Sequence, residues 1–347
     1  MRRAGALAVV LLAPLAASAH AGAAAERIDL RLDVTEAEAV LGIVARHAAG
    51  EAVPEADWQK LFATEPYRRL ERRESSLGRS FTEEEFRRFA LSADLAARAP
   101  ALARTLESWR RADLDAAAAR VLAYLPPAAS IRAAVYPVIK PRDNSFVFET
   151  TTDPAIFLYL DPEMSAAEFE NTAAHELHHI GLASLTTEYE KRIRALPDNA
   201  RKVAEWLGAF GEGLAVLAAA GSAEEHPMAA FDAEDRIRWD QDSKYVDQQI
   251  AELDRFFRDV LEGGFAKPEA VDHVAFTFFG YRGPWYTVGY RMGALVERRF
   301  GRPVLLDCLA DQRQLLVRYN QVATERNAEG EKIALWSPEL LAALEAR

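Results

Sequence analysis

The amino-acid sequence predicts an α+β fold, predominantly α-helical, with a small sheet of about three strands set between helices. Three observations carry that expectation. Residues 33 to about 120 are rich in Ala, Leu, Glu and Arg, with apolar positions at helical spacing. Residues 131–160 hold short runs of branched and aromatic residues between Pro, Asp and Asn turns. From Ser165 onward the helical texture returns. Half of the 347 residues are apolar and 27% are charged, so a large core can be built and a disordered chain is excluded.

The elements follow in order. Basic Met1-Arg2-Arg3, the apolar run Ala4–Ala17 and the small residues Ala17-Ser18-Ala19 read as a secretory signal peptide over 1–19, with cleavage expected between 19 and 25. The run is too short to span a bilayer, and no later segment reads as long and uncharged enough to do so, so an exported protein, periplasmic or secreted, without a membrane anchor after cleavage, is predicted. The lone Cys308 excludes an intrachain disulfide, which leaves the core, a metal or both to stabilise the fold. A helical region over 26–125 is closed by Pro126-Pro127, and a second region over 126–347 is expected to form one continuous unit with it. Strands are expected at Ile131–Ile139, Ser145–Phe148 and Ala155–Leu160. Ser165-Ala166-Ala167-Glu168 is a capping box that opens a helix running to about Gly181. After a charged segment, Thr186–Asp198, an apolar helix spans Ala200–Ala220 and stops at Gly221. Further helices fill the rest, with a Gly- and aromatic-rich loop at Gly280–Gly289. The net charge of -11 argues against a nucleic-acid partner, which needs a basic surface.

The helix opened by Ser165 contains His175-Glu176-Leu177-His178-His179. His175 and His179 are one turn apart and project from one face, so both imidazoles can bind one ion. Glu176, rotated by about 100°, can reach a water on that ion. Metal-assisted hydrolysis needs this arrangement, because the ion lowers the pKa of the water and the carboxylate takes its proton as it attacks a carbonyl. Ligand type points to zinc, one ion per chain. His178 also pairs with His175, but that pairing leaves no residue in the place of the base, so His178 is read as supporting a ligand or as surface.

A hydrolytic zinc takes three protein ligands and keeps one position for water. The next helix offers Glu205 and Glu212, roughly 10 Å apart along its axis and too far apart to share an ion. Glu212 is preferred. It lies in the apolar run Phe210–Leu217, where an ionised carboxylate requires a compensating cation. Gly211 and Gly213 beside it weaken the helix, a cost explained if another helix or the metal approaches closely. Glu205 is then a partner for Arg201 or an acceptor for a ligating histidine.

His175-Glu176-x-x-His179 followed on a second helix by Glu212-Gly213-Leu214-Ala215 resembles the gluzincin metallopeptidases, whose third ligand is a glutamate on a downstream helix. With Val138–Pro141, Phe146–Phe148, His175–Gly181 and Tyr286-Thr287-Val288-Gly289-Tyr290, the chain is similar over most of its length to an uncharacterised bacterial family of zinc-dependent peptidases. The interval from 179 to 212 is longer than in thermolysin-like enzymes. The resemblance implies a zincin-like site: zinc on His175, His179 and Glu212, Glu176 as general base, and a peptide or protein substrate. It also implies an edge strand that pairs with the substrate backbone, for which Ala155–Leu160 is the candidate. Tyr286 and Tyr290 are the candidate donors to the oxyanion, with His273 as a third. Arg282 and Arg291 are candidates to hold a substrate carboxylate or, more ordinarily, to pair with surface acids. Two other functions stay open: a zinc hydrolase acting on a non-peptide amide or ester, and a non-catalytic exported metal-binding module. Glu176 argues against the second, since a structural site needs no base.

Overall fold

The computed structural model describes residues 26–185, 190–191, 193–280 and 282–345. The expected signal segment and its cleavage window, and Thr186–Tyr189 of the charged segment, lie outside the described residues. Alternation of half-buried Ile28, Leu30 and Leu32 with exposed Asp29 and Arg31 produces a first strand, β1 (Ile28–Leu32). Helices α1 (Thr35–Ala48), α2 (Glu55–Ala63), α3 (Glu65–Ser76), α4 (Glu83–Ala90), α5 (Ala93–Trp109) and α6 (Leu114–Leu122) follow. Thr64, Thr82, Ser92 and Asp113 cap α3 to α6 with a side-chain oxygen, and Thr82 with Glu85 closes a full capping box. The sheet continues with β2 (Ile131–Val138), β3 (Phe146–Phe148) and β4 (Ala155–Tyr159). Beyond it lie α7 (Ala166–Ala183), α8 (Asp198–Leu207), a 3-10 turn (Gly208–Phe210), α9 (Gly211–Ala220), α10 (Ala233–Asp242), α11 (Val246–Leu261) and α12 (Pro268–Thr277). The chain ends through α13 (Pro284–Phe300), α14 (Arg302–Ala310), α15 (Gln312–Ala328) and α16 (Pro338–Glu345).

The fold is therefore α+β and mostly helical, with four strands in place of three. Their order is β1-β2-β4-β3; β1, β2 and β4 run parallel and β3 antiparallel. β1 has a weak local signal, five residues beside a long helical run, and is held by pairing with a strand about a hundred residues away, Ile28 opposite Ile131. The strand order changes the role expected for Ala155–Leu160. β4 pairs with β2 on one side and β3 on the other, so it is an inner strand and Phe146–Phe148 forms the edge. Where β3 ends, the Tyr159 amide turns to the Ser145 hydroxyl at 3.0 Å, which leaves this part of β4 engaged as well.

Two cores meet at the middle of the chain. The first unites the N-terminal helices, the sheet and α7 around Trp58, Phe86, Trp109 and Phe169, the last two stacked at 4.3 Å. The second unites α8, α9 and α11 to α16 around Phe210, Phe257, Trp285 and Trp336. α7 and α9 form the seam: Ala219 of α9 belongs to the first core, and Asn171 of α7 donates to the Ala219 carbonyl at 3.2 Å. The helix expected over Ala200–Ala220 is two helices joined by the 3-10 turn, ended as predicted by Gly221 in the left-handed conformation (φ 88°). By length and composition Asp198–Ala220 would suffice to cross a membrane, contrary to the expectation for segments after the first; 67% of its most apolar window is buried inside the protein, as in a core helix.

One buried acid gives the fold a pH signature. Glu36 of α1 is fully buried; Oε2 accepts the Ile139 amide at 3.0 Å and Oε1 has no hydrogen-bond partner among the described residues. Burial raises its pKa from 4.5 to about 8, against the opposing effects of the Ile139 amide and Lys140. The folded pKa lies above the unfolded one, so this group's contribution is complete below 4.5 and is lost as pH rises to about 8. Glu36→Gln keeps an acceptor for Ile139 and removes the titration. Thermal melts should show a difference from wild type that grows across this window, reaching on the order of a few kcal/mol, and then levels off. A difference independent of pH would contradict this account.

Candidate metal centre

α7 begins where the Ser165 hydroxyl accepts the Glu168 amide at 3.1 Å. Phe169, Ala173, Leu177 and Ile180 recur at helical spacing and bury one face in the first core. His175, Glu176 and His179 lie off this stripe and are half-buried. α9 brings Glu212 to them through a close helix crossing. A Cβ on Gly213 would stand 2.1 Å from the Tyr290 nitrogen and 2.4 Å from the Tyr286 oxygen, and one on Gly289 would stand 2.6 Å from the Phe210 oxygen. Backbone thus meets backbone between α9 and α13, which is possible only without side chains at these positions. Gly211 has open space around it, so of the two glycines beside Glu212 only Gly213 serves the close approach.

The crossing converges three donor atoms. Glu212 Oε2 lies 3.2 Å from His175 Nε2 and 3.3 Å from His179 Nε2, and the two Nε2 atoms are 3.1 Å apart. A tetrahedral ion with zinc–ligand distances of about 2.0–2.1 Å needs donors spaced roughly 3.3–3.4 Å apart, so the triangle fits the face of such a site. Two imidazoles and a carboxylate are also a donor set that zinc accepts. Among the protein groups alone, burial acts to raise the Glu212 pKa, but the hydrogen bonds and charges of His175 and His179 outweigh it and hold the carboxyl below the usual range. Burial opposes charge on His179, and the adjacent Glu212 reverses this and raises its pKa.

Tyr286 adds a fourth group. Its ring lies 6.2 Å from His175 and nearly parallel to it, at 17°. Burial, then the charge and hydrogen bond of Glu212 and the charge of Glu176, push the phenol above its ordinary pKa, so it remains a protonated donor beside both carboxylates.

A family model described as "Putative zinc dependent peptidase (DUF5700)" matches residues 58–328, well over half of the chain. The chain belongs to this family. Neither a curated protein nor a solved structure matches it. The family's description couples zinc to peptidase activity, and the matched span contains His175, Glu176, His179, Glu212 and Tyr286.

Other residues singled out in the sequence of this family member lie elsewhere. Glu205 pairs with Lys202 at 3.3 Å, and Arg201 pairs with Asp198 at 2.6 Å, so Glu205 has neither of the partners expected for it. Tyr290 directs its hydroxyl to the Glu225 carbonyl at 3.4 Å and its ring against Trp239, an arrangement that sets it apart from Tyr286. His273 is exposed on α12, and Arg291 pairs with Asp247 at 3.4 Å. Arg282 pairs with Asp235 at 3.2 Å and covers the Phe231 ring, and its charge reaches Tyr286. His178 is fully buried, which rules out a surface role. Burial, with His179 and His175 nearby, holds its pKa well below the ordinary value and keeps it neutral.

The sequence reading missed the segment before and along α10. Met228 and Trp239 form a small cluster with Val216, against which Phe231, Tyr286 and Tyr290 pack, and Asp235 engages Arg282. No local pattern marks these residues, because their role depends on a contact with α13 some fifty residues away.

Proposed function

We propose that the chain is an exported gluzincin-type zinc peptidase, with His175, His179 and Glu212 as zinc ligands. The observation that supports this best is the convergence of three neutral-or-anionic donor atoms at 3.1–3.3 Å, one residue away from a carboxylate that has no place in the triangle. A zinc ion held there would supply a Lewis acid and lower the pKa of a water. Glu176 receives the proton of the attacking water and returns it to the leaving amine. Tyr286 donates its hydroxyl hydrogen toward the oxygen that gains charge as the carbonyl is attacked, while its position against Glu212 and His175 orients it. A peptide or protein is the substrate class.

A panel of quenched fluorescent peptides tests the proposal, with simple esters and non-peptide amides alongside. Zinc-loaded wild type should cleave peptides, and a chelator should stop cleavage reversibly on zinc return. Tyr286→Phe should lower kcat by about 10- to 1,000-fold, as for loss of an oxyanion donor. Tyr290→Phe should leave kcat nearly unchanged. Turnover of esters or amides alone would transfer the site to the non-peptide reading, and equal losses in the two tyrosine variants would remove Tyr286 from its role.

A further inference from the structure

Outside the metal centre, a cavity of about 310 Å³ lies between α3, α4 and the residues that follow β2. Its size is at the lower end of small-molecule sites. Leu70, Phe81 and Phe89 form an apolar wall. Facing them are two acids, Glu74 and Glu85, and three cations, Arg79, Lys140 and Arg142. The acids are already engaged. Glu74 pairs with Arg73 and, at 3.1 Å, with Arg79, while Glu85 accepts the Thr82 amide and hydroxyl at 2.7 and 3.0 Å.

Arg79 is thereby paired as well, which leaves Lys140 and Arg142 as the cations of the cavity without an acid in ion-pair contact among the described residues. Lys140 is only 4% exposed, yet its ammonium donates to two acceptors, the Arg142 carbonyl and Asn144 Oδ1 (2.8 Å). A third proton is available. The rings of Phe146 and Tyr159 stand 5.6 and 5.8 Å from it, and the charges of Glu74, Asp143 and Glu36 favour its charged form while that of Arg73 opposes it. Burial lowers its pKa to about 8, as for an ammonium short of solvation. Arg142 is exposed at the cavity mouth. The acids offset its burial only in part, since its pKa stays below the ordinary value, and the metal chemistry makes no use of the Val138–Pro141 stretch that holds Lys140.

We propose that this cavity binds a small apolar carboxylate, with its head on Lys140 and Arg142 and its apolar body against Leu70, Phe81 and Phe89. Two sources share that chemistry: the free C-terminal residue of a peptide and a medium-chain fatty acid. Calorimetric titration of the full chain with N-acetyl-phenylalanine, its amide and octanoate tests the assignment. At least one of the two carboxylates should bind, the amide should not, and the tighter carboxylate identifies the source. Lys140→Met and, at an exposed position where folding is not at stake, Arg142→Gln should each weaken binding by about tenfold or more, the scale of one charge-assisted hydrogen bond. Equal binding of the amide, no binding of either carboxylate, or binding that survives both substitutions and therefore sits at the metal centre would overturn the proposal.

Discussion

Glu176→Gln is expected to keep its zinc and to lose turnover by about 10³-fold or more, the upper part of the range for a positioned general base. The substitution is isosteric, and Glu176 stands outside the donor triangle of His175, His179 and Glu212, so the ligand set is untouched. On the proposed mechanism, what disappears is the proton acceptor, one residue along α7 from His175. Steady-state kcat/KM on a peptide that wild type cleaves, with elemental analysis of the same preparation, checks both halves. Loss of zinc together with activity would make Glu176 part of the metal site. Retained activity would place the base on another residue.

Gly213→Ala is expected to cost about 3 kcal/mol of stability and to weaken zinc binding at the same time. A methyl group at this position would stand 2.1 and 2.4 Å from backbone atoms of α13, which cannot rotate away as a side chain could. The helices must move apart, an overpacking cost of roughly 1–3 kcal/mol or more for well-packed positions. Glu212 is the preceding residue on α9 and Tyr286 lies on the helix that gives way, so separation moves both relative to α7. Gly211→Ala is the internal control: nothing lies within 4 Å of its added carbon, and alanine is the better helix former, so it should be neutral or mildly stabilising. Urea unfolding and zinc titration of the two variants decide the point. Equal stability would mean that the crossing tolerates a side chain and that Gly213 does not set the geometry of the site.

How much of this could be read from the chain depends on how local the cause is. α7 carries its own cap, its own apolar stripe and both histidines, so its start and the face that bears His175 and His179 follow from a single short segment. The place of Glu212 beside the two histidines was legible because a carboxylate in an apolar run, beside glycine in a helix, breaks two local rules together. Features set by distant partners were not legible. β1 exists through β2, β4 loses its edge to the three residues of β3, and the 3-10 turn at Gly208–Phe210 interrupts a segment whose apolar pattern continues through it. Tyr286 and Tyr290 offer the same local signal; Trp239 and the Glu225 carbonyl, from a segment without a motif, separate them. The buried neighbours Glu36 and Lys140 are invisible in sequence, because burial of a single charged side chain leaves no period to read.

The central claim is that α7 and α9 together build one zinc site. Elemental analysis of purified wild type, Glu212→Ala and Glu205→Ala tests it most directly. One zinc per chain is expected in wild type and in Glu205→Ala, with the metal lost from Glu212→Ala. A wild type without metal after zinc supplementation, or zinc kept by Glu212→Ala and lost from Glu205→Ala, would contradict it.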